Sequence, residues 1–137
     1  IPVIFWTGTG NTQMMADAVA EAINAAGAEA VVKNISEITA DEAAGYDALA
    51  LGCPAMGAEV LEECEFEPFF TELEGKLAGK KVAIFGSYGW GGSYMQDWEA
   101  RVKDAGATLV ADGVLALGAP DDEAMAQLTE AGKLLAE

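Results

Sequence analysis

The chain has 137 residues, 52% of them hydrophobic, which suits one domain with one hydrophobic core. Its 23 acidic against 7 basic residues give a formal charge of −16, which repels nucleic-acid phosphates and anionic lipid headgroups and speeds encounter with positively charged surfaces. There is no histidine, which argues against triad hydrolysis and histidine-ligated zinc, and Cys53 and Cys64 lie too far apart for a C-x-x-C redox pair.

No apolar run approaches the ~20 residues of a membrane-spanning helix. Ile1-Pro2-Val3 offers no basic segment ahead of an apolar stretch, so no secretory signal is expected. Along the chain, Val3–Trp6 reads as a buried strand, with Pro2 tolerated only at its start. Met15, Val19, Ile23 and Ala26 follow at helical spacing, ending near Gly27 as a C′ residue. Ala30–Ile35 reads as a second strand, Thr39–Ala44 as a short helix capped by Thr39, and Ala48–Cys53 as a third strand. Pro68 suits the first turn of a helix carrying Phe69, Phe70 and Leu73, and Lys81–Gly86 reads as a fourth strand. Met95, Trp98 and Val102 mark a helix that stops near Gly106; Thr108–Leu117 gives a fifth strand. Asp121 or Asp122 caps a last helix with Met125, Leu128 and Leu135 inward.

Strands alternate with helices, and the strands are continuous apolar runs. The predicted class is α/β, with a parallel sheet covered by helices on both faces. Ligands of such sheets bind beyond the carboxyl ends of the strands, where strand order reverses. The segments after Trp6, Cys53, Gly86 and Leu117 are therefore the places to search.

The first of these is Thr7-Gly8-Thr9-Gly10-Asn11-Thr12. It joins a strand to a helix N-terminus, where N–H groups and the helix dipole favour an anion. Its glycines let the backbone curl, and its hydroxyl and amide groups are neutral donors, with no Lys or Arg among them. It lacks the G-K-[ST] of a Walker loop, and Gln13 stands where a dinucleotide fingerprint would place its third glycine. A plain Gly/Thr turn is the alternative.

The second segment is Pro54-Ala55-Met56-Gly57-Ala58-Glu59. Its Met56 thioether can lie against a flat ring, and its Glu59 can accept a bond from a ring N–H. Core packing for Met56 and a solvated Glu59 are the plain alternatives. In the third, Ser87-Tyr88-Gly89-Trp90-Gly91-Gly92, a tryptophan between glycines suits an aromatic plate over a planar ligand. An aromatic turn anchored on the core is the alternative there. Trp6 and Trp98 read as core or as support behind the site, and both cysteines as thiols without a redox role. Together the three loops describe a site for a phosphorylated flat heterocycle.

With these segments in place the sequence resembles the flavodoxins, the short-chain type in particular, over essentially the whole chain. The resemblance rests on Phe5, Thr7, Gly10, Thr12, Ala16 and Val19, on Gly52–Gly57, and on Phe85–Gly91. It implies a three-layer sandwich with a five-stranded parallel sheet in the order 2-1-3-4-5, the family's known topology and not a reading of this chain's periodicity. It implies non-covalent FMN as cofactor, no catalytic residues, no metal, and a role as a low-potential one-electron carrier shuttling between semiquinone and hydroquinone.

By the same resemblance, Thr7–Thr12 hold the FMN phosphate, Met56 flanks the inner flavin face, and Trp90 covers the outer face. Glu59 holds the ring N3, and the backbone of Gly89–Gly91 meets the pyrimidine edge. The Met56–Gly57 peptide flips on one-electron reduction to offer its carbonyl to the protonated N5. Pro54, Ala55, Ser87 and Tyr88 complete the two flavin loops. The charge of −16 and an apolar, aromatic sandwich both disfavour the anionic, fully reduced flavin, which makes the second electron hard to add. The expected partners are redox proteins with basic docking surfaces, met by Glu59, Glu62, Glu63, Glu65 and Glu67; a monomeric, cytoplasmic protein that binds neither nucleic acid nor membrane is expected.

Three other readings compete. A flavin enzyme such as a quinone reductase needs a substrate pocket where Trp90 would lie. A response-regulator receiver needs acidic residues where Trp6-Thr7 and Cys53-Pro54 stand. A binding module for another phosphorylated aromatic is opposed only by the paired ring-facing loops.

Overall fold

The computed structural model describes residues 1–6, 10–54, 65–88, 94–117 and 120–136. In chain order these form β1 (Pro2–Phe5), α1 (Asn11–Ala25), β2 (Val31–Asn34), a 3₁₀ turn (Ile35–Glu37), α2 (Ala40–Ala44), β3 (Ala48–Gly52), α3 (Phe66–Glu74), β4 (Lys81–Tyr88), α4 (Tyr94–Asp104), β5 (Thr108–Leu109), β6 (Val114–Leu117) and α5 (Asp122–Ala136).

All strand pairings are parallel, in the order β2-β1-β3-β4-β5, with β6 also paired to β4. Successive strand residues face opposite sides of a sheet. Val3, Phe5, Ala50, Ala83 and Phe85 accordingly pack under α1 and α5, while Ile4, Leu49, Leu51, Val82 and Ile84 pack under α2, α3 and α4. Both faces are thus buried in a three-layer sandwich, which is why these strands read as unbroken apolar runs rather than alternating ones.

The helix ends follow from local chemistry. After α1, Gly27 takes φ +95°; its N–H donates to the Asn24 carbonyl and that of Ala28 to Ile23, the paired bonds of a Schellman cap. Helix α4 closes the same way at Gly106. Thr39 caps α2 through a reciprocal pair with Glu42, and the Asp121 carboxylate accepts from the Ala124 N–H at the head of α5.

Several expectations need correction. The predicted fifth strand is two short ones. Lys81 and Val82 pair with Thr108 and Leu109, but Phe85 pairs with Val114, so residues 110–113 span what Ala83 and Ile84 span opposite. The insertion is an even number of residues, so Val114 and Ala116 still face the α1/α5 side. The Gly113 N–H donates to the Glu99 carboxylate of α4 instead of to a strand. Ile35 opens the 3₁₀ turn, with Asn34 as its cap, rather than ending β2. Ser87 and Tyr88 are the last residues of β4, paired to Ala116 and Leu117, not the start of a loop. Ala26 is exposed at the C-cap of α1. Met125 is 40% exposed, because the inward stripe of α5 runs through Ala124, Leu128, Ala131 and Leu135 and Met125 sits one residue off it.

Helices α3 and α4 are joined by an aromatic cluster and a cation. Trp98 lies edge-on to Phe66 and Phe70, at 5.5 and 6.0 Å between ring centroids. Arg101 binds Glu67 with both terminal nitrogens at 2.7 and 2.9 Å, reaches Glu74 at 3.0 Å and stacks 4.7 Å from the Phe70 centroid. The Arg101 guanidinium holds the Glu67 carboxyl below the usual carboxylate range, against the effect of partial burial, with the Thr71 hydroxyl adding to it. Because the folded-state value is lowered, the pair stabilises at neutral pH and its contribution fades as pH falls below about 4.3, the ordinary glutamate value. Arg101→Ala should cost roughly 1 kcal/mol at pH 7, solvent screening allowed for. Urea denaturation should show that difference shrinking as pH drops below about 4; a constant difference down to strong acid would contradict it.

Candidate functional site

The carboxyl ends of β1, β3 and β4 lie side by side, and β1 has β2 on one side and β3 on the other. The chain order therefore reverses between β1 and β3, which is where ligands of such sheets bind. Helix α1 starts at this edge. Its N-cap is Gly10, at φ +90° and ψ −9°, a left-handed conformation that side-chain-bearing residues adopt at a cost of about 1–2 kcal/mol. Gly10 brings no capping side chain, and a Cβ built there meets nothing within 4 Å among the described residues.

The first turn of α1 carries no acidic residue, whereas α2, α3, α4 and α5 each carry at least one. In a chain with 23 carboxylates that is a local exclusion of negative charge from a helix N-terminus. The neighbouring sequence is neutral too: no charged residue occurs before Asp17, between Ala48 and Ala58, or between Val82 and Gln96. An anion seated there meets backbone and hydroxyl dipoles, with no carboxylate from these sequence stretches to compete.

Thr12, in that first turn, is 1% exposed, and its hydroxyl lies 3.4 Å from that of Ser87, itself 6% exposed at the end of β4. The contact spans 75 residues of sequence and joins the first and third predicted loops. At the end of β3, Cys53 is fully buried, its N–H donates to the Phe85 carbonyl, and its carbonyl accepts from the Tyr94 hydroxyl at 2.8 Å. Pro54 follows, half-buried. Tyr88 lines a cavity of about 390 Å³ beside α5, but Asp121 and Glu123 also line it, which disfavours an anion there.

Of the predicted site residues, Gly10, Asn11, Thr12, Pro54, Ser87 and Tyr88 are described, all at this one edge. Thr7, Gly8, Thr9, Ala55, Met56, Gly57, Glu59, Gly89, Trp90 and Gly91 lie outside the described residues. Of the predicted docking carboxylates, Glu59, Glu62 and Glu63 also lie outside them; Glu65 accepts a bond from Trp6 Nε1 at 3.2 Å, and Glu67 is bound to Arg101. Trp6 packs against the core at the strand end and Trp98 is core, as read from their spacing.

Sequence reasoning missed Gly86. A Cβ there would lie 2.1 Å from the Cys53 oxygen and 2.2 Å from the Tyr94 hydroxyl. A glycine closing the apolar run Val82–Phe85 was the available signal.

The Gly10 geometry predicts that Gly10→Val destabilises by about 1–2 kcal/mol through backbone strain and not through crowding. Gly10→Asn should cost clearly less, because asparagine tolerates the left-handed region. Urea unfolding of the two variants checks this; equal losses would contradict it.

Comparison with known proteins agrees with this fold. The flavodoxin family model matches residues 3–132. The chain is 46% identical to the flavodoxin of Clostridium beijerinckii over 135 residues, covering 98% of this chain and 97% of that one. It is 46% identical to the flavodoxin of Megasphaera elsdenii over 116 residues, covering 84% and 85%. The solution structure of the two-electron-reduced Megasphaera elsdenii flavodoxin superposes with a TM-score of 0.91 at 43% identity, covering 98% of this chain and 97% of that one. The chain therefore belongs to the flavodoxin family, the FMN-binding electron-transfer proteins, which are carriers rather than enzymes.

Proposed function

We propose that this flavodoxin holds one FMN, without a covalent link, across the carboxyl ends of β1, β3 and β4. Residues Thr7–Thr12 hold the phosphate. The ring lies between the segments Pro54–Glu59 and Ser87–Gly91, with Met56 on its inner face, Trp90 on its outer face, and Glu59 accepting from N3. The observation that carries this reading is the N-terminus of α1: capped by a left-handed glycine, uncrowded there among the described residues, and free of acid in its first turn at the switch point of the sheet. The residues present fit the group, since a phosphate dianion needs N–H and O–H donors and an aromatic ring needs flat apolar flanks.

FMN, when bound, supplies the electron chemistry. The chain's own part is to bind, orient and bias. Apolar flanks and a formal charge of −16 disfavour added negative charge on a ligand, so the carrier works at low potential. The carboxylates Glu59, Glu62, Glu63 and Glu65 make the docking surface for basic partners. Glu67 is left out because Arg101 already holds it. Residues 1–137 act as one such domain, as a monomer in the cytoplasm; no helix among the described residues is long and apolar enough to cross a membrane.

Titrating the FMN-free protein with FMN and with riboflavin, which lacks the phosphate, tests the assignment. Thr7→Val and Thr12→Val should each weaken FMN about tenfold and riboflavin little, as expected for losing a bond to a charged group. Trp90→Ala should weaken both alike. Equal losses of both ligands in the threonine variants would contradict the phosphate assignment. For docking, neutralising Glu59, Glu62, Glu63 and Glu65 together should slow reduction by a basic partner, most strongly at low salt; unchanged stopped-flow rates would contradict that surface.

A further inference from the structure

We propose that Tyr94 is a positioning residue for the FMN site, its hydroxyl seated on the Cys53 carbonyl so that the roots of both ring-flanking segments are tied together. The inference rests on the site reading above.

The segment 55–64 runs from the end of β3 to the head of α3, and the segment 89–93 from the end of β4 to the head of α4. Cys53 therefore lies just before the first segment, and Tyr94 is the first residue after the second. Their hydrogen bond is 2.8 Å long, spans 41 residues and is buried at both ends, with Cys53 at 0% and Tyr94 at 2% exposure. It has room only because residue 86 is glycine, since any Cβ there would occupy the space of both bonded oxygens. The Tyr94 ring stacks on Trp98 at 6.4 Å, and Trp98 in turn meets Phe66 and Phe70 of α3 edge-on. Cys53 ahead of one segment, Tyr94 behind the other and the helices α3 and α4 are thus one packed unit.

Burial and the nearby Cys53 push ionisation of the Tyr94 phenol well above its ordinary value, so the hydroxyl stays a donor throughout the working pH range. Losing a buried bond of this kind changes an equilibrium by roughly twofold to tenfold. Placed at the root of the segment that faces the ring, it bears on how that segment meets the cofactor in each oxidation state. A bond that merely stabilised the fold would weaken every state equally.

The test compares wild type, Tyr94→Phe, which keeps the ring, and Leu128→Ala, a core change on the far face of the sheet. FMN dissociation constants are measured for the oxidised and fully reduced proteins, with midpoint potentials and melting temperatures alongside. Tyr94→Phe should weaken FMN by about threefold to tenfold, unequally in the two states, so that the ratio of the two constants moves at least about threefold. Leu128→Ala should lower the melting temperature and leave that ratio unchanged. A Tyr94→Phe protein that binds FMN with the wild-type ratio and wild-type potentials would overturn the inference and leave the site reading standing. A wild-type protein that takes up no FMN would overturn the site reading and the inference with it.

Discussion

The carboxyl ends of β3 and β4 approach each other through two glycines. A Cβ at Gly52 would lie 2.2 Å from the Phe85 ring, and one at Gly86 would strike the Cys53 carbonyl and the Tyr94 hydroxyl. The two lie on neighbouring strands, Gly52 registered directly against Phe85. The Phe85 ring thus fits on the α1/α5 side and the Tyr94 hydroxyl on the α3/α4 side. Both helical layers are brought tight against the edge of the sheet from which all three candidate loops depart. Larger side chains at either glycine would force the strands, or the layers above them, apart.

The second organising constraint is electrostatic. A surface with 23 carboxylates would make a poor host for a phosphate dianion unless the acids were kept away from it. They are kept away in sequence, where no charge precedes Asp17, and in structure, where the first turn of α1 is free of acid. The hydroxyl pair of Thr12 and Ser87 provides buried polarity without charge at the same edge. The acids gather instead from Glu59 onward, on the segment leading into α3, and the basic Arg101 is spent on clamping α3 to α4. Neutral donors at the head of α1 and a carboxylate-rich stretch of sequence from Glu59 onward suit the proposed binding of a small anion and docking of cationic partners.

Much of the fold was legible in the sequence because it is set by local rules. Parallel strands buried on both sides read as Val3–Phe5, Ala48–Gly52 and Val82–Phe85 without alternation, and the helix ends were marked by Gly27, Thr39, Gly106 and Asp121. What was not legible depends on tertiary pairing. The break of the outer strand at residues 110–113 follows from the Gly113–Glu99 bond and a shift of register against β4, neither of which periodicity reveals. The outward turn of Met125 depends on which stripe of α5 meets α1. In the site, the loop motif and helix start at Gly10–Thr12 were plain, being a local feature of a strand–helix junction. The partnership of Thr12 with Ser87 and that of Tyr94 with Cys53 span 75 and 41 residues, and only the assembled sheet brings them together.

Binding of FMN at this edge is read directly from the visible absorption spectrum of the purified protein, recorded oxidised and then through stepwise dithionite reduction after saturation with FMN. Flavin bands from one FMN per chain should appear and bleach in two separated one-electron stages, as an electron carrier requires. A protein that stays colourless and takes up no added FMN would contradict that binding.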